Sequence, residues 1–321
     1  MRPGVRVGRY VLVREVARGG MGVVYEAQAP HGGRVALKVL AQAASPEALA
    51  RFERERRLLG ELSAAPGFVP LLDAGEAQGR PWLVMPFMAG GSLRERLDRG
   101  PLGVEAAVEL GHQLGVAIGR AHARGIVHRD LKPENVLFER AGDGGARIAD
   151  LGVAKHFRRE GLEGARSASL SRSGAMLGTA CYMAPEQLHD ARRVGPTADV
   201  FALGQIVYEC LTGASPFQGE SLDETLRRLI DGRSVPLRTR RPDAPEWLEV
   251  VLTRALAADP AARWPDGRAF ARALAARGAM RPGGRRRVAS AAVAGGALAL
   301  LVLGALVASR TDAAGGAEAP A

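Results

Sequence analysis

Eight consecutive residues constrain this chain more than any others. His128-Arg129-Asp130-Leu131-Lys132-Pro133-Glu134-Asn135 sets an acid, a lysine and a carboxamide within six positions, and the strand-like Val136-Leu137-Phe138 follows. A second short strand then leads through Ile148-Ala149 into Asp150-Leu151-Gly152. Asn135 and Asp150 both offer hard oxygen, the donor type that Mg²⁺ takes. Upstream, Lys38 stands inside an apolar run, in Val35-Ala36-Leu37-Lys38. An ammonium turned inward from such a strand needs an anion, and phosphate is a suitable one. Ahead of it, Ala17-Arg18-Gly19-Gly20-Met21-Gly22-Val23-Val24 stands between two strand-like runs. Glycines there let a backbone approach phosphate oxygens with its N–H groups free to donate, although a structural hairpin turn reads the same way.

The period of the apolar residues changes along the chain. Residues 10–16, 23–27, 35–40 and 82–87 are short β-branched runs, with one helix predicted at about 46–62, where Ser45-Pro46 supplies an N-cap and a proline at the first helical position. From Ser92 onward the pattern is helical. Ser92 and Glu95 have capping-box spacing, Val104, Val108, Gly111, Leu114, Gly115 and Ile118 outline one helix face, and 197–212 is a strongly apolar helix. A small β-rich lobe over 10–87 ahead of a larger helical lobe over 92–277 implies a cleft between them.

Two further segments, Gly178-Thr179-Ala180-Cys181-Tyr182-Met183-Ala184-Pro185-Glu186 and Asp199-Val200-Phe201-Ala202-Leu203-Gly204, complete a set of six. In order and spacing the set resembles the signature motifs of protein kinases, in particular the eukaryotic-like Ser/Thr kinases of bacteria, over about residues 8–277. The resemblance implies an α+β, bilobal kinase-like fold across 10–277 and ATP-dependent phosphoryl transfer to Ser or Thr of protein substrates. By that resemblance Gly19, Gly20 and Gly22 cover the ATP phosphates. Lys38 contacts the α- and β-phosphates and pairs with Glu55, with Glu53 as the rival partner. Asp130 orients the acceptor hydroxyl and takes its proton, Lys132 stabilises the γ-phosphoryl, and Asn135 and Asp150 hold Mg²⁺, with Mn²⁺ as an alternative. The adenine lies between Val24 and Ala36 above and Leu137 below, beside Met85, the Pro86 carbonyl and the Met88 N–H.

The same resemblance gives Thr179 a bracing role beside Asp130 and Lys132, pairs Arg263 with Glu186, and makes Asp199 an anchor for the backbone of the catalytic loop. Between Gly152 and Gly178, Ser167, Ser169, Ser171 and Ser173 stand among arginines, as in an activation loop whose phosphorylation pairs with Arg129. Three departures from the family pattern are Ala17 at the first loop glycine, Pro86 in place of the usual Glu, and Leu151 in place of Phe. None removes a catalytic group. A nucleotide-binding pseudokinase scaffold is the alternative reading.

Composition narrows the classes further. Two cysteines in 321 residues, neither in a metal-ligand spacing, argue against a disulfide scaffold, a structural zinc site or an iron–sulfur site. The net charge of +10 favours acidic partners, but no nucleic-acid motif or aromatic stacking pattern accompanies it, so no nucleic-acid partner is expected. Residues 1–9 read as a tail, with no signal peptide over 1–18. At the other end, 288–309 is 22 residues without a charge, enough helix for about 33 Å. Arg281, Arg285, Arg286 and Arg287 precede it in the linker 278–287, whereas only Arg310 follows in the tail 310–321. The positive-inside bias therefore predicts a single-pass protein of the plasma (inner) membrane with its kinase-like part in the cytoplasm. Self-association is a further expected partner mode, through small residues on one stripe of that span.

Overall fold

The computed structural model describes residues 2–19, 22–40, 60, 65–140, 145–150, 181–189 and 194–277. Six strands, β1 (Arg6–Val7), β2 (Tyr10–Gly19), β3 (Gly22–Gln28), β4 (Arg34–Leu40), β5 (Asp73–Ala77) and β6 (Arg80–Pro86), form one antiparallel sheet in the order β1-β2-β3-β4-β6-β5. Alternation along β4 sends Val35, Leu37 and Val39 to one face, where they pack with Tyr10, Leu12, Tyr25, Trp82 and Val84. Ala36, Lys38 and Leu40 are left to the other face. Every residue of β4 after Arg34 is buried, which explains its near-continuous apolar run.

Strands β2, β3, β4 and β6 correspond to the β-branched runs. Two strands carry no such signal. Residues 1–9, read as a tail, contribute β1, where Val7 pairs with Tyr10 and is buried. β5 has the sequence Asp-Ala-Gly-Glu-Ala, devoid of β-branched and aromatic residues, and forms because β6 gives it a partner at the sheet edge. There Gly75 crosses so near Trp82 that a Cβ would come within 2.4 Å of the indole. The helix predicted at about 46–62 lies outside the described residues, apart from the helical Gly60.

The second lobe is helical: α1 (Leu93–Leu97), α2 (Val104–His122), α3 (Pro185–His189), α4 (Pro196–Thr212), α5 (Leu222–Ile230), α6 (Leu237–Arg240), α7 (Glu246–Ala255) and α8 (Gly267–Ala275). α1 starts with the capping box read from the sequence: Ser92 Oγ accepts from Glu95 N at 3.2 Å, and Glu95 Oε2 accepts from Ser92 N at 3.1 Å. α2 buries Val108, Gly111, Leu114, Gly115 and Ile118 on one face. α8 packs against that face so closely that a Cβ on Gly119 would fall 2.6 Å from Arg268 N. α4 is buried all round from Ala198 to Leu211, as a helix without a polar face must be, and it ends at Gly213 in the left-handed region.

A two-stranded ribbon, β7 (Val136–Phe138) with β8 (Ala146–Ile148), carries the segments that the motifs singled out. Bridges from Phe68 to Ile148 and from Ser92 to Leu137 tie this ribbon to the chain around it. Among the described residues no helix is long and apolar enough to cross a membrane. The expected linker 278–287, span 288–309 and tail 310–321 all lie outside the described residues.

Candidate active site

Strand pairing puts Val24 opposite Lys38 and Ala36 opposite Met85, so Val24, Ala36, Lys38 and Met85 share one face of the sheet. From that face Lys38 reaches across to the end of β8. Its Nζ lies 2.6 Å from both Oδ1 and Oδ2 of Asp150, and only 8% of the lysine side chain is exposed. Burial by itself pushes the Asp150 carboxyl upward. The charge and hydrogen bonds of Lys38 outweigh that and hold it below the ordinary carboxylate range, with Lys132 acting in the same sense.

The loop from His128 to Asn135 is held from below by Asp199 on α4. Asp199 Oδ2 accepts from His128 N at 2.7 Å, and its Oδ1 accepts from Arg129 N at 2.8 Å. His122 joins the same carboxylate through Nε2 at 2.9 Å, while its Nδ1 accepts from Gly267 N at 3.2 Å. A ring nitrogen that accepts carries no proton, so His122 is the Nε2–H tautomer and donates to Asp199. His128 obeys the same logic. Its Nδ1 accepts from Asp130 N at 3.3 Å, and its Nε2–H donates to the Ala149 carbonyl at 3.1 Å, joining the loop to the residue before Asp150.

Above this base Asp130 is buried, with Lys132 Nζ 4.0 Å from its Oδ2. Asn135 donates through Nδ2 to the Asp130 carbonyl at 2.7 Å, which leaves its Oδ1 as the acceptor end, and its own carbonyl accepts from Ala149 N at 2.8 Å. Arg129 and Asp150 have φ of 64° and 56°, left-handed conformations that non-glycine residues rarely take. Such backbone persists only where surrounding bonds over-determine it, and here they do. Lys38, Asp130, Lys132, Asn135 and Asp150 are thereby brought to one place from two lobes.

The fit to a divalent cation follows from donor chemistry. Among the described residues no three His, Cys, Asp or Glu side chains form a self-contained metal cage. Asp150 and Asn135 instead offer one carboxylate and one amide oxygen, the sparse oxygen set suited to a Mg²⁺ that keeps phosphate and water ligands.

At the hinge side, Met85 and Pro86 end β6 opposite Ala36 and Val35, and Phe87 and Met88 follow. Gly90 N donates to the Phe138 carbonyl at 2.9 Å and Phe138 N to the Gly91 carbonyl at 2.9 Å, which brings Leu137 beside this linker. Gly19 pairs with Gly22 at the mouth of the glycine loop. Gly22 has φ 140°, and a Cβ there would sit 2.0 Å from the Val39 carbonyl oxygen, so packing against β4 already demands glycine at that position. Gly20, Glu55, Thr179 and the four serines 167, 169, 171 and 173 lie outside the described residues.

The Arg263–Glu186 pair expected from the sequence is present and bidentate, at 2.8 and 2.9 Å. Arg263 also donates to the carbonyls of Ala257, Thr197 and Ala258, so five bonds leave its buried guanidinium. One cluster beside the loop has no sequence signal. Arg94 donates to Glu209 at 2.8 Å, to the Tyr182 hydroxyl at 2.6 Å and to Glu134 at 3.2 Å, and Tyr182 donates to Glu209. Its members are spread over 115 positions, and no spacing rule links them.

Comparison with known proteins matches this arrangement. The family model described as "Protein kinase domain" matches residues 10–273. The chain belongs to the protein kinase family. It is 38% identical over 267 residues to the serine/threonine-protein kinase PknE of Mycobacterium bovis, covering 82% of this chain and 45% of that protein. It is likewise 38% identical over 287 residues to PknA of Mycobacterium tuberculosis, covering 86% and 63%. The kinase domain also superposes on the crystal structure of Rad53 1-466 in complex with AMP-PNP, with a TM-score of 0.66 and 26% identity, over 82% of this chain and 64% of that one. The chain thus spans about half the length of PknE and under two thirds of PknA.

Proposed function

We propose that this kinase domain transfers the γ-phosphoryl group of ATP to Ser or Thr hydroxyls of protein substrates. The observation that carries the reading is the convergence of the Lys38 ammonium, the Asp150 carboxylate and the Asp130–Asn135 loop at one site. Mg²⁺, when bound, would neutralise phosphate charge, and Asp150 and Asn135 are the residues that would hold it. Lys38 binds phosphate oxygens, and its bonds to Asp150 keep the two groups in mutual register. Asp130 accepts the proton of the acceptor hydroxyl and orients it, while Lys132 offsets the charge that develops on the transferring group. Val24, Ala36, Met85, Pro86, Met88 and Leu137 enclose the base. Nothing in this set is a covalent nucleophile; positioning and fixed charge do the chemistry.

Ser/Thr preference rests on the Asp130-Leu131-Lys132-Pro133-Glu134-Asn135 arrangement and on the named relatives, both of which are called serine/threonine-protein kinases. Phosphate placed on Ser167, Ser169, Ser171 or Ser173 would find Arg129 beside Asp130, which favours autophosphorylation as a control. The uncharged run 288–309 behind Arg285, Arg286 and Arg287 supports attachment to the plasma membrane, with the kinase domain on the cytoplasmic side. The test is ³²P transfer from Mg·ATP to a generic basic protein, followed by mapping of the chain's own phosphosites by mass spectrometry. Wild type should label the substrate and Asp130→Asn should not. Nucleotide binding without any transfer would leave the scaffold reading instead.

A further inference from the structure

Charged side chains of the sheet reach the hinge between the lobes. Glu26 on β3 faces the same side as Val24 and Ala36, and only 9% of its side chain is exposed. A nearly buried carboxylate needs counter-charge, and two arginines supply it. Arg34 Nε on β4 lies 2.7 Å from Glu26 Oε1, and Arg14 Nε on β2 lies 2.8 Å from Glu26 Oε2. Both guanidinium groups then extend over the ring of Phe87, 4.4 Å from its centroid for Arg34 and 5.9 Å for Arg14. Three strands therefore converge on one aromatic residue, which stands between Pro86 and Met88.

We propose that Arg34, Arg14 and Glu26 form a clamp that holds Phe87, and through it the 86–88 backbone, in the geometry that receives the adenine base. This rests on the nucleotide-binding reading above and extends it to residues that never touch the nucleotide. The reason is geometric. Pro86 is held by pairing with Val35, and Gly91 N bonds the Met88 carbonyl at 3.2 Å, but Phe87 between them has no strand pairing. Its ring is held instead by the two arginines. A ring under one guanidinium at stacking distance, with a second nearby, has few orientations left. Glu26 is bonded at both carboxylate oxygens, one to each arginine, so either arginine that swings away leaves one oxygen of a nearly buried carboxylate without its partner. Arg14, Arg34 and Glu26 are positioning residues and take no part in the chemistry.

The experiment compares wild type with Arg34→Gln, Phe87→Leu, the double variant and Arg34→Lys. It measures Mg·AMP-PNP affinity by calorimetry, and KM for ATP and kcat by phosphate transfer. Each of the first two variants should weaken AMP-PNP and raise KM for ATP by about two- to fivefold, with kcat within twofold of wild type. The double variant should be no worse than the worse single variant, because both remove one shared contact. Arg34→Lys keeps the charge on Glu26 and should recover part of the affinity. Wild-type affinity in both single variants, multiplicative losses in the double variant, or a fall in kcat with KM unchanged would each overturn the clamp. If unmodified protein binds no AMP-PNP, the nucleotide reading fails, and the role assigned to the clamp fails with it.

Discussion

Lys38 Nζ is 2.6 Å from each carboxylate oxygen of Asp150, a residue 112 positions further along the chain and in the other lobe. The pair fixes where the sheet faces the helical lobe. It also places an ammonium and a hard oxygen ligand side by side, so phosphate and cation can be held together.

Lys38→Met removes the ammonium and leaves the Asp150 carboxylate without the cation 2.6 Å from it. Phosphate transfer should fall by about 10²- to 10³-fold, the usual loss for one preorganised electrostatic group. Steady-state transfer with saturating ATP measures this, and a rate within threefold of wild type would remove Lys38 from the phosphate site.

Asp199 accepts from two backbone N–H groups of the 128–135 loop and from His122. Asp199→Ala strands all three in a buried setting, at about 1–3 kcal/mol per orphaned donor. Urea denaturation should show a loss of at least about 3 kcal/mol, and hydrogen exchange at His128 and Arg129 should quicken. Unchanged exchange at those two amides would contradict an anchoring role.

Arg263 and Glu186 should differ in sensitivity although they share one ion pair. The arginine is buried and bonds three carbonyls besides, whereas 22% of the Glu186 side chain is exposed. Arg263→Met should cost about 3–5 kcal/mol, and Glu186→Gln clearly less. Equal losses in thermal or chemical unfolding would mean that the carbonyl bonds contribute little.

Cys210, buried in α4, has its thiol pushed up to about 12 by burial, with Glu209 adding to the rise. At pH 8 only about one thiol in 10⁴ is ionised in the fold, so a thiol-specific reagent should label Cys210 only on unfolding. The sign for stability follows. The folded value lies above the unfolded one, near 8.5, so this contribution is complete below about pH 8.5 and is lost as the pH rises from there toward 12. Labelling of native Cys210 at pH 8, faster than global unfolding, would refute the burial.

Much of the site was legible in the linear sequence, because its parts depend on local chemistry. A buried lysine on an apolar strand, an acid and an amide five positions apart, and an aspartate after a short strand are each read over fewer than ten residues. The capping box of Ser92 and Glu95 and the all-apolar run of α4 were legible for the same reason. What tertiary structure alone decided is everything whose stabilisation comes from a distant partner. β5, with no strand-forming residue, exists because β6 pairs with it. His122 becomes part of the loop anchor because α2 and α4 bring it to Asp199. The Arg94–Glu209–Tyr182 cluster and the grip of Arg34 on Phe87 exist because folding desolvates carboxylates that must then find a cation. Propensity and periodicity describe neighbours along the chain. Desolvated charge is satisfied in space, and which residues meet there is set only when the lobes have packed.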